Sequence, residues 1–434
     1  MPGSELYLDF SSGLDVSDNF DRIRDPSGTS VVWVNSFGLT FDSATRNQRF
    51  TASAGFTYEI GEYADDLDRD QGGVEAPFAT IDYGIENRST VFGLELSYVE
   101  RDNGFDDIEI TDADDIIVDQ GTRSDFTVAA DLTLGRDAPV TFTTDLRYVD
   151  TRFFDTTDPA LDDEITYAVE SVLSLNLTRT TSLFFAAEYE ERDEDDEFDS
   201  FEVNTSASVG LSFATAYGLE GAVSFGYAVD EFEQTINGER VETRTDSPVA
   251  SIDLSQDRPN GVVRAGLSQE VNDRGRRTRF SLGRALTFKR GELDATLGLS
   301  IADYDERLRG IGSISYQHDL PRGLLQLRFS QEITDDSDED EDLFISTAGL
   351  DYTRPLTNIS SLQLSIDLSA SEAVDADEAD TQRASLLLSY TRELTREWDF
   401  NAGYRHSTFR ETDRSPIIEN AVFARIERRF DVRP

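Results

Sequence analysis

His318 and His406 are the only histidines in 434 residues, and there is no cysteine. The lack of cysteine excludes disulfides, thiolate metal sites and cysteine nucleophiles. The two histidines lie far apart, and neither sits in an HExxH or similar spacing. Each therefore reads as a wall or rim residue, not as a metal ligand or a triad base. Serine runs such as GLSQE (266–270) lack the glycine pair of a nucleophile elbow. No glycine-rich phosphate loop occurs. With no nucleophile, base and orienting group in one constellation, the chain reads as a non-enzyme.

The remaining chemistry is carboxylate chemistry. There are 87 Asp and Glu against 39 Lys and Arg, a net charge of −48 and a pI near 4.2. Such a chain repels nucleic acid, so phosphate-backbone partners are excluded. Lys289 is the only lysine. The acids fall into two groups. The first is packed into runs: 64–75 (ADDLDRDQGGVE), 104–124, 193–200, 335–342 and 375–380. Hard oxygens at Asp338, Asp340 and Asp342 suit weak binding of a divalent ion such as Ca²⁺. That run lacks the glycine and twelve-residue register of an EF-hand, so solvated, mutually repelling loops are the simpler reading. No other cofactor is expected.

The second group is spaced singly: Glu59, Asp82, Glu86, Glu95, Asp131, Asp145, Glu170, Glu188, Glu190, Asp253, Glu270, Asp294, Glu332 and Asp367, accompanied by Arg147, Arg264, Arg328 and Arg405. Each stands in the polar phase of an alternating segment. Residues 360–371 read SSLQLSIDLSAS, with Leu362, Leu364, Ile366, Leu368 and Ala370 in one phase and polar residues in the other. The same alternation runs through FTASAGFTYEI (50–60) and FTVAADLTL (126–134). One face of each such strand is oily and the other wet. These runs are about 9–11 residues long, enough to cross a bilayer as a tilted strand. No segment carries a persuasive helical period.

The connections alternate in kind. Short turns occur at 87–89, 215–218, 258–261, 289–291, 321–323 and 395–397, and the acidic runs fall between them. Tight turns on one rim and long loops on the other describe an outer-membrane barrel. Counting runs predicts an all-β, single transmembrane antiparallel up-and-down barrel over 1–434. It has about 22 strands (range 20–24), short periplasmic turns, long acidic extracellular loops and no plug domain. An even count puts both termini at the tight-turn rim. Aromatics near the ends of the apolar phase, such as Phe50 and Tyr58 or Phe142 and Tyr148, fit interface girdles. Arg284 shares the apolar phase of RFSLGRALTF (279–288), which predicts a bulge at Gly283 to turn it out of lipid. Arg428 is near enough to the rim to snorkel.

The first residues, MPGSELYL, carry no basic start or apolar core of a leader, so an outer-membrane location implies a signal peptide outside this sequence. The terminal strand closes on Phe430 and resembles the signal by which barrels are recognised by the outer-membrane assembly machinery. Asp431–Pro434 follow it, and Arg428 stands where a second apolar residue is usual. SGLDVSDNF (12–20) is similar to the first strand and loop of the putative β-barrel porin-2 family. That resemblance covers the whole chain through weak, compositional motifs. It implies an outer-membrane barrel with some relatives linked to exopolysaccharide export, and it supplies no catalytic residues.

The functional expectation is a porin-like channel in the bacterial outer membrane, in contact with lipid and lipopolysaccharide. It passes small solutes or a polysaccharide passively through an acidic, cation-favouring lumen. Loop 104–124 is a candidate to fold inward and constrict it. Two alternatives stay open: a sealed surface-interaction barrel presenting acidic loops for adhesion, lipopolysaccharide or phage contact, and a soluble salt-adapted all-β protein. The solute and the oligomeric state are not specified by the sequence.

Overall fold

The computed structural model describes residues 3–432, apart from 21, 27, 65–71, 103–115, 119–120, 157–160, 197, 237, 273, 305–306, 337–340, 374–379 and 413. It also leaves out the side chains of 334–336, 341–342 and 373. Strands β1 (Gly3–Ser17), β2 (Ser30–Ala44), β3 (Gln48–Glu62), β4 (Gly72–Glu86), β5 (Thr90–Asp102), β6 (Thr122–Leu134), β7 (Val140–Phe154), β8 (Glu164–Asn176), β9 (Thr181–Glu194), β10 (Phe201–Ala214) and β11 (Leu219–Ile236) form half of a ring. The other half is β12 (Glu239–Arg258), β13 (Gly261–Asn272), β14 (Gly275–Phe288), β15 (Gly291–Ala302), β16 (Arg309–Leu320), β17 (Gly323–Asp336), β18 (Glu341–Thr357), β19 (Ser360–Ala373), β20 (Thr381–Glu393), β21 (Asp399–Glu411) and β22 (Ile417–Val432). Each pairs antiparallel with its neighbours, and β1 pairs with β22 from Leu6↔Val432 to Ser17↔Ala421. The sheet is a closed 22-stranded barrel with both strand termini on the tight-turn rim.

Closure and alternation together decide the environment. Hydrocarbon offers backbone groups no partners, so a sheet can span it only without an open edge. The apolar phase faces out: Val223, Phe225 and Tyr227 on β11 are exposed, Phe225 by 63%, and Leu297 at mid-β15 by 70%. Those side chains are a liability in water and a match for lipid. The chain is an outer-membrane β-barrel. An outer girdle marks the upper edge of the band. Tyr98 donates its hydroxyl to Glu100 (2.8 Å), Tyr404 to Asn420 (2.9 Å), and Tyr189 and Tyr227 to Glu191 and Asp246. Rings thus sit in the apolar band while their hydroxyls reach carboxylate or amide oxygens one step further out, as interface aromatics do.

The expected bulge at Gly283 is absent, because pairing runs unbroken through it on both sides. Arg284 is accommodated by reach. Its Nη2 donates to Asn260 Oδ1 (2.6 Å) in the periplasmic turn 259–260. The long stem stays in the apolar band and the head is anchored at the periplasmic turn. Arg428 behaves similarly, bonded to Glu397 and lying 5.3 Å over the Trp398 ring and 4.1 Å over Phe430. Asn260→Ala is expected to cost about 1–2 kcal/mol by removing the acceptor of a charged hydrogen bond. Arg284→Leu, which needs no acceptor in lipid, is expected to be neutral or stabilising. Urea unfolding in detergent micelles measures both.

The extracellular rim is less regular than the periplasmic one. Long connections dominate it, yet β11–β12 and β13–β14 are joined through only two residues each. Pairing of β12 with β13 stops at Ser251↔Ser268, although β11–β12 pairing continues to Ile236↔Glu239. Pro248, which has no N–H for a ladder, stands just above the parting. The tip of β13 instead lies across the inner face of its neighbours: Asn204 Nδ2 on β10 donates to the Val271 carbonyl (3.0 Å), and Val271 is buried. The tip of β17 leans in likewise, its Ile333 carbonyl accepting from Arg279 Nη2 (3.1 Å) on β14. Hairpin tips therefore overhang the mouth.

Candidate functional site

The inner wall is built by register. A strand alone places its polar phase inward, and pairing then decides which inward residues meet. Asp131, Asp145, Glu170 and Glu188 come directly opposite one another on β6, β7, β8 and β9. Like charges directly across a ladder are destabilising. Among the described residues no guanidinium forms an ion pair with any of the four; Glu188 accepts only from Ser206 Oγ (3.1 Å). Asp82, Glu95 and Glu190 join them around a hollow of about 730 Å³, which Arg49 and Arg147 also line. Gly93 makes this crowding feasible, since a Cβ there would come within 2.0 Å of Asp131 Oδ1.

The facing wall is charge-balanced. Arg264 bonds Asp294, Arg279 Nη1 lies 2.8 Å from Glu270, and Arg328 bridges Asp351 (2.9 Å) and Asp367 (3.3 Å). Gly349 clears the seat of that last pair. The lumen therefore carries an acidic arc over β4–β9 opposite a neutralised arc over β13–β19. Of the other singly spaced residues, Glu59, Asp253, Glu332 and Arg405 also stand in the inward phase. Asp338 and Asp340 lie outside the described residues, as does the side chain of Asp342.

Ile116 and Val118, from the connection between β5 and β6, are 0% and 2% exposed and form one buried cluster with Ile345, Phe409 and Ile417. Those three face inward on β18, β21 and β22. Counting from β5 back through β1 and β22, β18 is nine strands away, and eleven would be diametrically opposite. Residues 116–118 are thus seated on strands five to nine positions round the ring from β5, and most of loop 104–124 lies outside the described residues. Beneath their seat lies a buried polar layer. Glu419 (2% exposed) accepts from Arg405 Nη2 (2.8 Å) and from Ser17 Oγ (3.1 Å). Asp15 Oδ1 and Ser407 Oγ there are buried with no hydrogen-bond partner.

The residues that seat Ile116 and Val118 were missed in the sequence, although a signal existed. Ile345, Phe409 and Ile417 are apolar residues in otherwise polar phases, and Ile116-Ile117-Val118 is an apolar triplet inside an acidic loop.

No protein-family model matches this chain, the porin-2 model included, and no curated protein matches it in sequence. Solved structures do. The chain is similar to the FrpB iron transporter from Neisseria meningitidis at 8% identity, covering 98% of this chain and 82% of that one, with a TM-score of 0.61. It is similar to the siderophore receptor PirA from Acinetobacter baumannii (7% identity, 99% and 81% covered, TM-score 0.58). It is also similar to the ferric enterobactin receptor PfeA from Pseudomonas aeruginosa (12% identity, 99% and 82% covered, TM-score 0.55). At such identities the likeness is one of fold. The expectation of a passive porin-like channel is overturned by these neighbours, which are named as an iron transporter and siderophore receptors. The sealed surface-interaction alternative finds no support among them either. Twenty-two strands is the size at which transporter barrels carry an obstructed lumen, whereas open porins have fewer.

Proposed function

We propose that the chain forms the wall and mouth of an outer-membrane uptake protein that admits a specific, bound solute by gated passage. The observation that carries this reading is the apolar cluster of Ile116 and Val118 with Ile345, Phe409 and Ile417 inside a 22-stranded lumen whose hairpin tips also overhang the mouth. A wall this wide needs something other than its own side chains to control it. The names of the structural neighbours supply the cargo class, iron held by a small organic chelator. Within that class the acidic arc of Asp131, Asp145, Glu170 and Glu188 selects complexes with a neutral or cationic exterior. The whole of 1–434 acts as one barrel domain in this reading, and the strand ending at Phe430 serves assembly.

Calorimetric titration of the purified barrel tests it with two probes, a cationic ferric trihydroxamate and an anionic ferric tris-catecholate. Saturable binding of the first, at least about tenfold tighter than of the second, is expected, a margin of 1.4 kcal/mol. Asp145→Asn with Glu170→Gln should erase that margin. Absence of saturable binding by either complex would sink the proposal.

A further inference from the structure

We infer that the lipid-facing side of β17–β21 holds one phosphorylated glycolipid of the outer leaflet, an acyl chain in a groove of the wall and a phosphate on Arg410. The site is on the outside of the barrel, so it does not depend on the uptake reading. Register makes the groove. Phe329, Ala348, Leu368, Ala384 and Thr408 stand opposite one another in the outward phase. The next outward positions towards the extracellular ends are Ser346, Ala370, Gln382 and Arg410. The row beneath is filled by large side chains, Leu327, Leu350, Ile366 and Leu386. Above it, alanines at 348, 370 and 384 leave a hollow of about 370 Å³ between exposed Phe329 and Leu368. That is within the size range of small-ligand clefts.

The hollow is polar at one end only. Arg410 is next to the last residue of β21, whereas Phe329 is at mid-β17, so the groove runs from the lipid band towards the rim. On the same face of β21, the girdle residue Tyr404 lies below Arg410, which places the guanidinium at headgroup level. Charge then selects the occupant. Arg152, Arg240, Arg244 and Arg276, other arginines in the outward phase on this side, each hold a carboxylate. Among the described residues, Arg410 makes no ion pair or hydrogen bond, and neither do the side chains of Thr408, Gln382 and Ser346 around it. A chain of net charge −48 repels anionic lipid in general. An exposed, unengaged guanidinium at the head of an apolar groove is where a phosphate with an acyl chain attached is welcome, since it takes phosphate oxygens by paired, charge-assisted bonds.

Native mass spectrometry of the purified barrel, titrated with bis-phosphorylated lipid A, tests this. One saturable lipid is expected. Arg410→Gln should weaken its binding at least about tenfold, while Arg152→Gln, whose native side chain already holds Asp150, should leave it unchanged. Ala370→Trp, which fills the groove and keeps Arg410, should also weaken binding at least about tenfold. Heat-modifiable gel migration checks assembly, and Ala384→Leu serves if the tryptophan variant does not assemble. Dephosphorylated lipid A should bind at least about tenfold more weakly than the phosphorylated form, and excess inorganic pyrophosphate should not displace the lipid. The proposal is overturned by unsaturable partition alone, by saturable binding that Arg410→Gln or the groove variant leaves unmoved, or by equal binding of the dephosphorylated lipid. Displacement by pyrophosphate also overturns it, because an anion site needs no groove.

Discussion

Arg405→Met is expected to destabilise the barrel by about 3–5 kcal/mol, the scale for stranding one member of a buried ion pair. Glu419 is almost fully buried on β22 and takes its main hydrogen bond from Arg405 Nη2 on β21. Without the guanidinium, its remaining donor is Ser17 Oγ on β1, a neutral hydroxyl 3.1 Å away. The network also spans the place where the ring closes, so a charge stranded there strains the β1–β22 junction. The control is the double variant Arg405→Met with Glu419→Gln, which removes both charges and should recover most of the loss. Midpoints of urea unfolding in detergent, read by heat-modifiable migration, measure both. A loss that the double variant does not reduce would show that the pair is not the source.

Leu297→Arg should cost about 2–4 kcal/mol, the range for a cation at the bilayer midplane of a barrel. Leu297 is at mid-β15, faces out and packs beside Leu282 and Gly312 in the ladder. The native Arg284 is the internal comparison. It occupies the same outward phase on the next strand but lies close enough to the periplasmic rim to reach Asn260. An arginine at 297 has no such acceptor within its stem length. The same unfolding assay applies, best in bilayers of defined thickness. A loss no greater than that of Leu297→Ala would mean that position 297 does not face hydrocarbon.

The comparison with the sequence follows from what each physical rule can reach. Alternation is local, so it shows in the sequence: the strands, the two classes of connection and the count of 22 all appear there. Phase is local too, which is why every singly spaced acid and arginine named above stands in the inward phase. Register is not local. Nothing within β6 alone announces that Asp131 will face Asp145, and then Glu170 and Glu188, so the acidic arc is visible only once strands are paired. The bulge expected at Gly283 failed for a related reason. An outward arginine needs a bulge only far from the rim, and its distance from the rim depends on stagger. The passive-channel expectation named loop 104–124 as a constriction, but the seat of Ile116 and Val118 is assembled from β18, β21 and β22, far from them in sequence, and is visible only once the strands are paired.

The lone lysine side chain, Lys289, is exposed in the turn between β14 and β15. That turn belongs to the rim of short connections. A charged, membrane-impermeant ester that acylates amines thus finds no other ε-amino group to modify. In reconstituted vesicles, the fraction of Lys289 acylated before and after permeabilisation counts how many barrels were inserted in each direction. Functional assays on those vesicles can then be corrected for sidedness without any engineered tag.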